Sequence, residues 1–153
     1  MTVFSIDTSA LVGAWTESYS PRTFPGLWKN VEAMIENGTL VASEEVLHEL
    51  RRQDDDLFAW SKTQSGLFVP MDAQTEDAVK RVVQVPNLVR GTSADNSADP
   101  FVIAVALARG GTVVSQERNG GPAHPKIPYV CRTLGIPHQS LQEFVNGQGW
   151  TFG

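Results

Sequence analysis

An α/β fold with a central parallel sheet and helices on both faces is what this sequence predicts, on two observations. Short apolar runs recur at VFSI, TLVA, LFVP and TVVSQ, and longer segments of helical periodicity separate them. That alternation is the mark of strand–helix–strand units. The second observation is size: 153 residues, 41% of them hydrophobic, suit a single domain over residues 1–153 with a full core.

The elements follow in order. VFSI, residues 3–6, is the first strand, and a short helix runs from Ser9 to about Trp15. After a loop rich in Ser, Pro and Thr comes PGLWKNVEAMIENG, in which Leu27, Val31, Met34 and Ile35 share one helical face and Gly38 is a natural stop. TLVA, residues 39–42, is the second strand, and Ser43 caps a helix through EEVLHELRR. The acidic run at 54–56 caps the next helix, LFAWSKTQ. LFVP is the third strand, and Asp72 opens a helix carrying Val79, Val82 and Val83. A loop from Pro86 to Ala98 leads into the apolar helix of ADPFVIAVAL, and TVVSQ, residues 112–116, is the fourth strand. A short helix, IPYVCRTLG, ends at Gly135, IPHQS is a weak fifth strand, and a last helix covers Leu141 to Val145. Residues 147–153 read as a loosely held tail.

Four acids fall where this fold places ligands, outside the carboxyl ends of the strands. Asp7 follows the first strand, Glu117 follows the fourth, and Asp99 opens the helix that feeds the fourth. Glu49 lies within two turns of the start of the helix after the second strand. Each also has a structural explanation. Asp99 before Pro100 is a good helix cap, Asp7 before Thr8 and Ser9 is another, and Glu49 is an ordinary helix-surface residue. Glu117 is the hardest to treat so, because an unpartnered acid beside a buried strand is costly. Together the four are more telling, since like charges held close oppose folding unless something neutralises them. No basic residue lies within three positions of Asp7 or Asp99, and Arg118, next to Glu117 on an extended strand, would point to the other face. A divalent cation is the economical answer, and all-oxygen ligands favour Mg²⁺ or Mn²⁺.

The bulk numbers fit this reading. One cysteine excludes an internal disulfide, and three scattered histidines offer no zinc constellation. The start MTVFSIDTSALVGAW lacks a basic segment, so no signal peptide is expected, and no apolar run approaches bilayer length. A reducing cytoplasm is the expected setting. The net charge of −5 speaks against a nucleic-acid binder, but acids gathered in a metal site would account for most of it.

SIDTSALV, EEVLHEL, ADPFVIAVAL and GTVVSQE together resemble the PIN-domain family of metal-dependent nucleases, in order and spacing along nearly the whole chain. The IPYVC and PGLW segments are similar to a PIN subgroup long catalogued only as a domain of unknown function. The resemblance implies a three-layer α/β/α fold with strand order 3-2-1-4-5 and a site of Asp7, Glu49, Asp99 and Glu117 binding one or two Mg²⁺ or Mn²⁺ ions. It implies hydrolysis of RNA phosphodiesters, leaving a 5′-phosphate and a 3′-hydroxyl. Ser9 is similar to the small polar residue that supports the first acid, and Ser115 to the Ser or Thr common before the last. Many PIN domains have Asp where Glu117 stands, and the longer arm moves the carboxylate outward by about 1.5 Å. Glu45 is the alternative to Glu49, and Asp95 an acid that would support the site from further out.

A phosphate substrate needs basic contacts, for which Arg51, Arg52, Arg90, Arg118 and Lys126 are the candidates. Many small PIN proteins are toxins held by a cognate antitoxin, which implies a partner protein here, and Trp15, Trp28 and Trp60 are candidates for an exposed apolar face toward a partner or a homodimer. Core packing competes for at least two of them. No membrane partner is expected. His48, His124 and His138 are not needed by the chemistry. The rival reading is a PIN-like domain that binds RNA or protein without cutting. A phosphoaspartate receiver would expect paired early acids and a lysine after the last strand, and a D-x-D phosphatase fails at Ser9.

Overall fold

The computed structural model describes residues 2–53, 55–88, 99–118 and 120–152. Five short parallel strands form one sheet in the order β3-β2-β1-β4-β5, namely β1 (Phe4–Ile6), β2 (Leu40–Ser43), β3 (Phe68–Val69), β4 (Thr112–Val114) and β5 (His138–Gln139). Among the described residues eight α-helices accompany them: α1 (Thr8–Gly13), α2 (Pro25–Glu36), α3 (Glu44–Gln53), α4 (Asp56–Lys62), α5 (Ala73–Val82), α6 (Asp99–Arg109), α7 (Ile127–Leu134) and α8 (Leu141–Gly147). The expected three-layer PIN-like architecture and strand order are both present.

Strand alternation sorts the helices into layers. On β1 the Phe4 ring packs edge-on against Phe144 of α8, with centroids 5.0 Å apart. Its neighbour Ser5, fully buried, donates to the Val102 carbonyl of α6 at 2.8 Å. α6 and α8 therefore cover opposite faces. On the Phe4 side, Ile6, Leu11, Leu27, Trp28, Leu40 and Leu141 close the core. On the other side α6 lies between the sheet and α5, which is why Val102 through Ala106 are all buried and the helix is apolar all round.

Local chemistry sets the boundaries. Asp55 caps α4 through the Phe58 amide, Asp72 caps α5 through Thr75, and Ser140 with Glu143 forms a capping box on α8. Gly135 ends α7 in the left-handed region, at φ 71°. Gly111 lets the chain pass close to β1, since a Cβ there would lie 2.3 Å from the Val3 carbonyl oxygen.

Some expectations need correction. α1 starts at Thr8 and widens after Gly13 into a π-helical stretch, Ala14–Ser18. β4 ends at Val114, so Glu117 stands three residues beyond the strand and strand alternation does not govern Arg118. Val83 lies past the end of α5 and is exposed rather than on its packed face. Trp28 is buried and Trp15 and Trp60 are half-buried, the three rings meeting with centroids 5.0 to 5.6 Å apart. Trp150 reaches back to Phe144 at 6.3 Å, edge to face.

Candidate metal centre

The order 3-2-1-4-5 puts the reversal of winding between β1 and β4, and a crevice opens there at the carboxyl edge. Asp7 is the residue after β1. Its amide donates to the Val114 carbonyl of β4 at 2.9 Å, so the backbone is clamped before the side chain enters the crevice. Asp7 is also the cap of α1, accepting from the Ser9 amide at 3.3 Å and the Ser9 hydroxyl at 2.6 Å. The capping and site readings of Asp7 thus coexist. Ser9 in turn accepts from the Gln116 amide at 3.0 Å, tying α1 to the segment after β4.

That segment carries Glu117. Its Oε1 accepts from the Ile127 amide at the start of α7 at 3.1 Å, which anchors the long side chain at a helix N-terminus. Asp99 enters from the first turn of α6. Each of Asp7, Asp99 and Glu117 offers an oxygen within 4.8 Å of the other two. Among the described residues no lysine or arginine lies within ion-pair distance of any of them.

Burial and mutual repulsion push these carboxyls up. Asp7 rises from 3.8 to about 6, through burial first and the Glu117 charge, against the lowering effect of the Ser9 hydrogen bonds. Asp99 rises to about 8, through burial and then Glu117, Asp7 and Glu49, while Lys126 pulls the other way. Three carboxylates forced together with no lysine or arginine in ion-pair distance among the described residues fit a hard divalent cation, and a set with no nitrogen or sulfur donor suits Mg²⁺ or Mn²⁺.

A family profile described as "Domain of unknown function (DUF4411)" matches residues 4–152. The chain belongs to this family. No curated protein matches it by sequence. Among solved structures, a chain from the crystal structure of VapBC2 from Rickettsia felis, bound to a DNA fragment from their promoter, superimposes with a TM-score of 0.57. It is 16% identical, and the match covers 91% of this chain and 98% of that one. The resemblance read from the four motifs, to the PIN fold and to a subgroup of unknown function, is borne out.

In this DUF4411 member the crevice is lined by Asp7, Thr8, Ser9, Val12, Glu49, Arg52, Gln53, Asp99, Glu117 and Lys126. Glu49 faces it from α3 but is not part of the 4.8 Å group, and its Oε1 accepts from the Thr8 hydroxyl. Of the basic candidates, Arg52 and Lys126 line the crevice, whereas Arg51 and Arg118 are exposed residues outside its lining. Arg90 and Asp95 lie outside the described residues. Glu45 does not line the crevice and sits 3.4 Å from His48. Ser115 is buried, its Oγ 2.7 Å from Nε2 of His138, so its contact is with β5 rather than with an acid. Burial holds the His138 pKa below its ordinary value. Thr8 and the Ile127 amide are the participants that sequence reasoning missed. Thr8 stands inside the DTS motif, but its partner is 41 residues away.

Proposed function

We propose that the chain is a divalent-metal-dependent endoribonuclease of the cytoplasm and the toxin of a toxin–antitoxin pair. The observation that supports the nuclease reading is the meeting of Asp7, Asp99 and Glu117 within 4.8 Å at the switch point of a PIN-like sheet. The toxin reading, with an antitoxin as partner, draws support from the likeness in fold to a chain of the VapBC2 assembly. No helix among the described residues is long and apolar enough to cross a membrane.

Asp7, Asp99 and Glu117 would hold one or two Mg²⁺ or Mn²⁺ ions. Such an ion, when bound, supplies Lewis acidity toward a phosphoryl oxygen and makes water more acidic. The chain's own residues do the rest. Ser9 fixes the Asp7 carboxylate, the Ile127 amide fixes Glu117, and Glu49 faces the same crevice as an acceptor able to orient water. Arg52 and Lys126, on α3 and just before α7, supply positive charge toward phosphates on either side.

The test is incubation of purified protein with a mixed RNA pool in Mn²⁺ and then in EDTA. The expected result is fragments with 5′-phosphate ends in Mn²⁺, none in EDTA, and loss of cleavage in Asp7→Asn. Full cleavage by Asp7→Asn refutes the site, and RNA bound but never cut points to a binding module.

A further inference from the structure

The three consecutive residues Asp7, Thr8 and Ser9 each have a different relation to the crevice. Asp7 points a carboxylate into it, and Ser9 restrains that carboxylate. Thr8 reaches across to another element, donating its hydroxyl to Oε1 of Glu49 on α3. Glu49 is also close enough to raise Asp99 electrostatically, yet it stands apart from the Asp7–Asp99–Glu117 group. An unrestrained glutamate has three side-chain torsions and would sample many positions around the crevice. The Thr8 hydroxyl removes much of that freedom. Its own position is set by the first turn of α1, which the Asp7 backbone bond to β4 holds against the sheet.

We propose that Thr8 is a positioning residue. By its hydrogen bond it holds Glu49 at the crevice wall, outside the metal-ligand set, where the glutamate orients the water that attacks the phosphate. This rests on the nuclease reading and deepens it by separating four acids into three ligands and one positioned acceptor. One turn of backbone thus sets two carboxylates at once, Asp7 through Ser9 and Glu49 through Thr8.

The experiment compares wild type with Thr8→Val, Thr8→Ala and Thr8→Ser, measuring kcat and KM for a cleaved RNA in Mn²⁺, and Mn²⁺ binding by calorimetry without RNA. Thr8→Val keeps the shape and loses the donor, Thr8→Ala guards against a packing fault of the valine, and Thr8→Ser restores the hydroxyl. The expected result is a fall in kcat of about 10- to 100-fold in Val and Ala variants, with KM within about twofold of wild type and recovery in Ser. Mn²⁺ affinity stays near that of wild type in Thr8→Val and in Glu49→Gln, and is lost in Asp99→Asn. Unchanged kcat in Thr8→Val overturns the inference, as does Mn²⁺ binding weakened by Glu49→Gln as much as by Asp99→Asn. A wild-type protein that binds Mn²⁺ but cuts no RNA instead removes the nuclease reading, and the inference with it.

Discussion

Replacing Asp99 by Asn should stabilise the metal-free protein, an unusual outcome for a half-buried residue at a helix start. Asn keeps the shape and a side-chain oxygen but cannot ionise. In the folded chain the Asp99 carboxyl is pushed up from 3.8 to about 8, by burial first and by Glu117, Asp7 and Glu49 next. A group whose folded pKa is raised contributes stability that is fully present below its unfolded value and is lost as pH rises toward its folded one. For Asp99 that window runs from 3.8 to about 8. At about 1.4 kcal/mol per unit, keeping this carboxyl protonated in the fold at pH 7, where the unfolded chain would ionise it, costs on the order of 2–4 kcal/mol, the lower figure allowing for residual solvent screening. Urea unfolding in EDTA is the assay. Asp99→Asn should exceed wild type by that amount at pH 7, and by less than about 1 kcal/mol at pH 4.5. Adding Mn²⁺ should reverse the order, because wild type gains binding energy that the variant lacks. A variant no more stable than wild type at pH 7 in EDTA refutes the electrostatic reasoning. So does a gain that is equal at both pH values.

Ser9→Ala removes the donor to Asp7 and the acceptor of the Gln116 amide. It should cost about 1–3 kcal/mol in urea unfolding and raise the Asp7 pKa further above about 6, as read by NMR titration of the metal-free protein. Gly111→Ala places a Cβ 2.3 Å from the Val3 carbonyl oxygen, backbone against backbone; a loss of more than about 2 kcal/mol is expected by the same measurement. Arg52→Ala and Lys126→Ala should each weaken binding of single-stranded RNA and lower the slope of log affinity against log salt by about 0.7. Slopes identical to wild type would remove both residues from the phosphate path.

The sheet was readable because its strands are apolar runs set off by caps and glycines, and those signals are local. Asp7 and Asp99 were readable for a similar reason: Asp7 directly follows β1, and Asp99 begins the helix that feeds β4, so its start falls at the edge where the strands end, and neither placement needs the register. Glu117 was found although β4 proved shorter than its apolar run, because the segment after Val114 still travels along the same edge. What stayed hidden depends on docking between distant segments. The Thr8–Glu49 bond requires the angle between α1 and α3, and the anchor on Glu117 requires α7 to begin beside it. Ser115 looked like a site residue by position. It pairs with His138 because β5 lies beside β4 in register, with Val114 opposite Gln139. The three tryptophans, each a candidate for exposed surface when read singly, satisfy one another once the π-helical stretch turns Trp15 toward Trp28 and Trp60.

The most direct measurement is a crystal soaked in Mn²⁺ and examined by anomalous diffraction at the manganese edge. The predicted result is an ion within about 2.5 Å of oxygens from Asp7, Asp99 and Glu117, with Glu49 still bonded to Thr8. An empty crevice at saturating Mn²⁺, or the three carboxylates turned apart and each paired with its own lysine or arginine, would contradict the metal-centre assignment and the nuclease built on it.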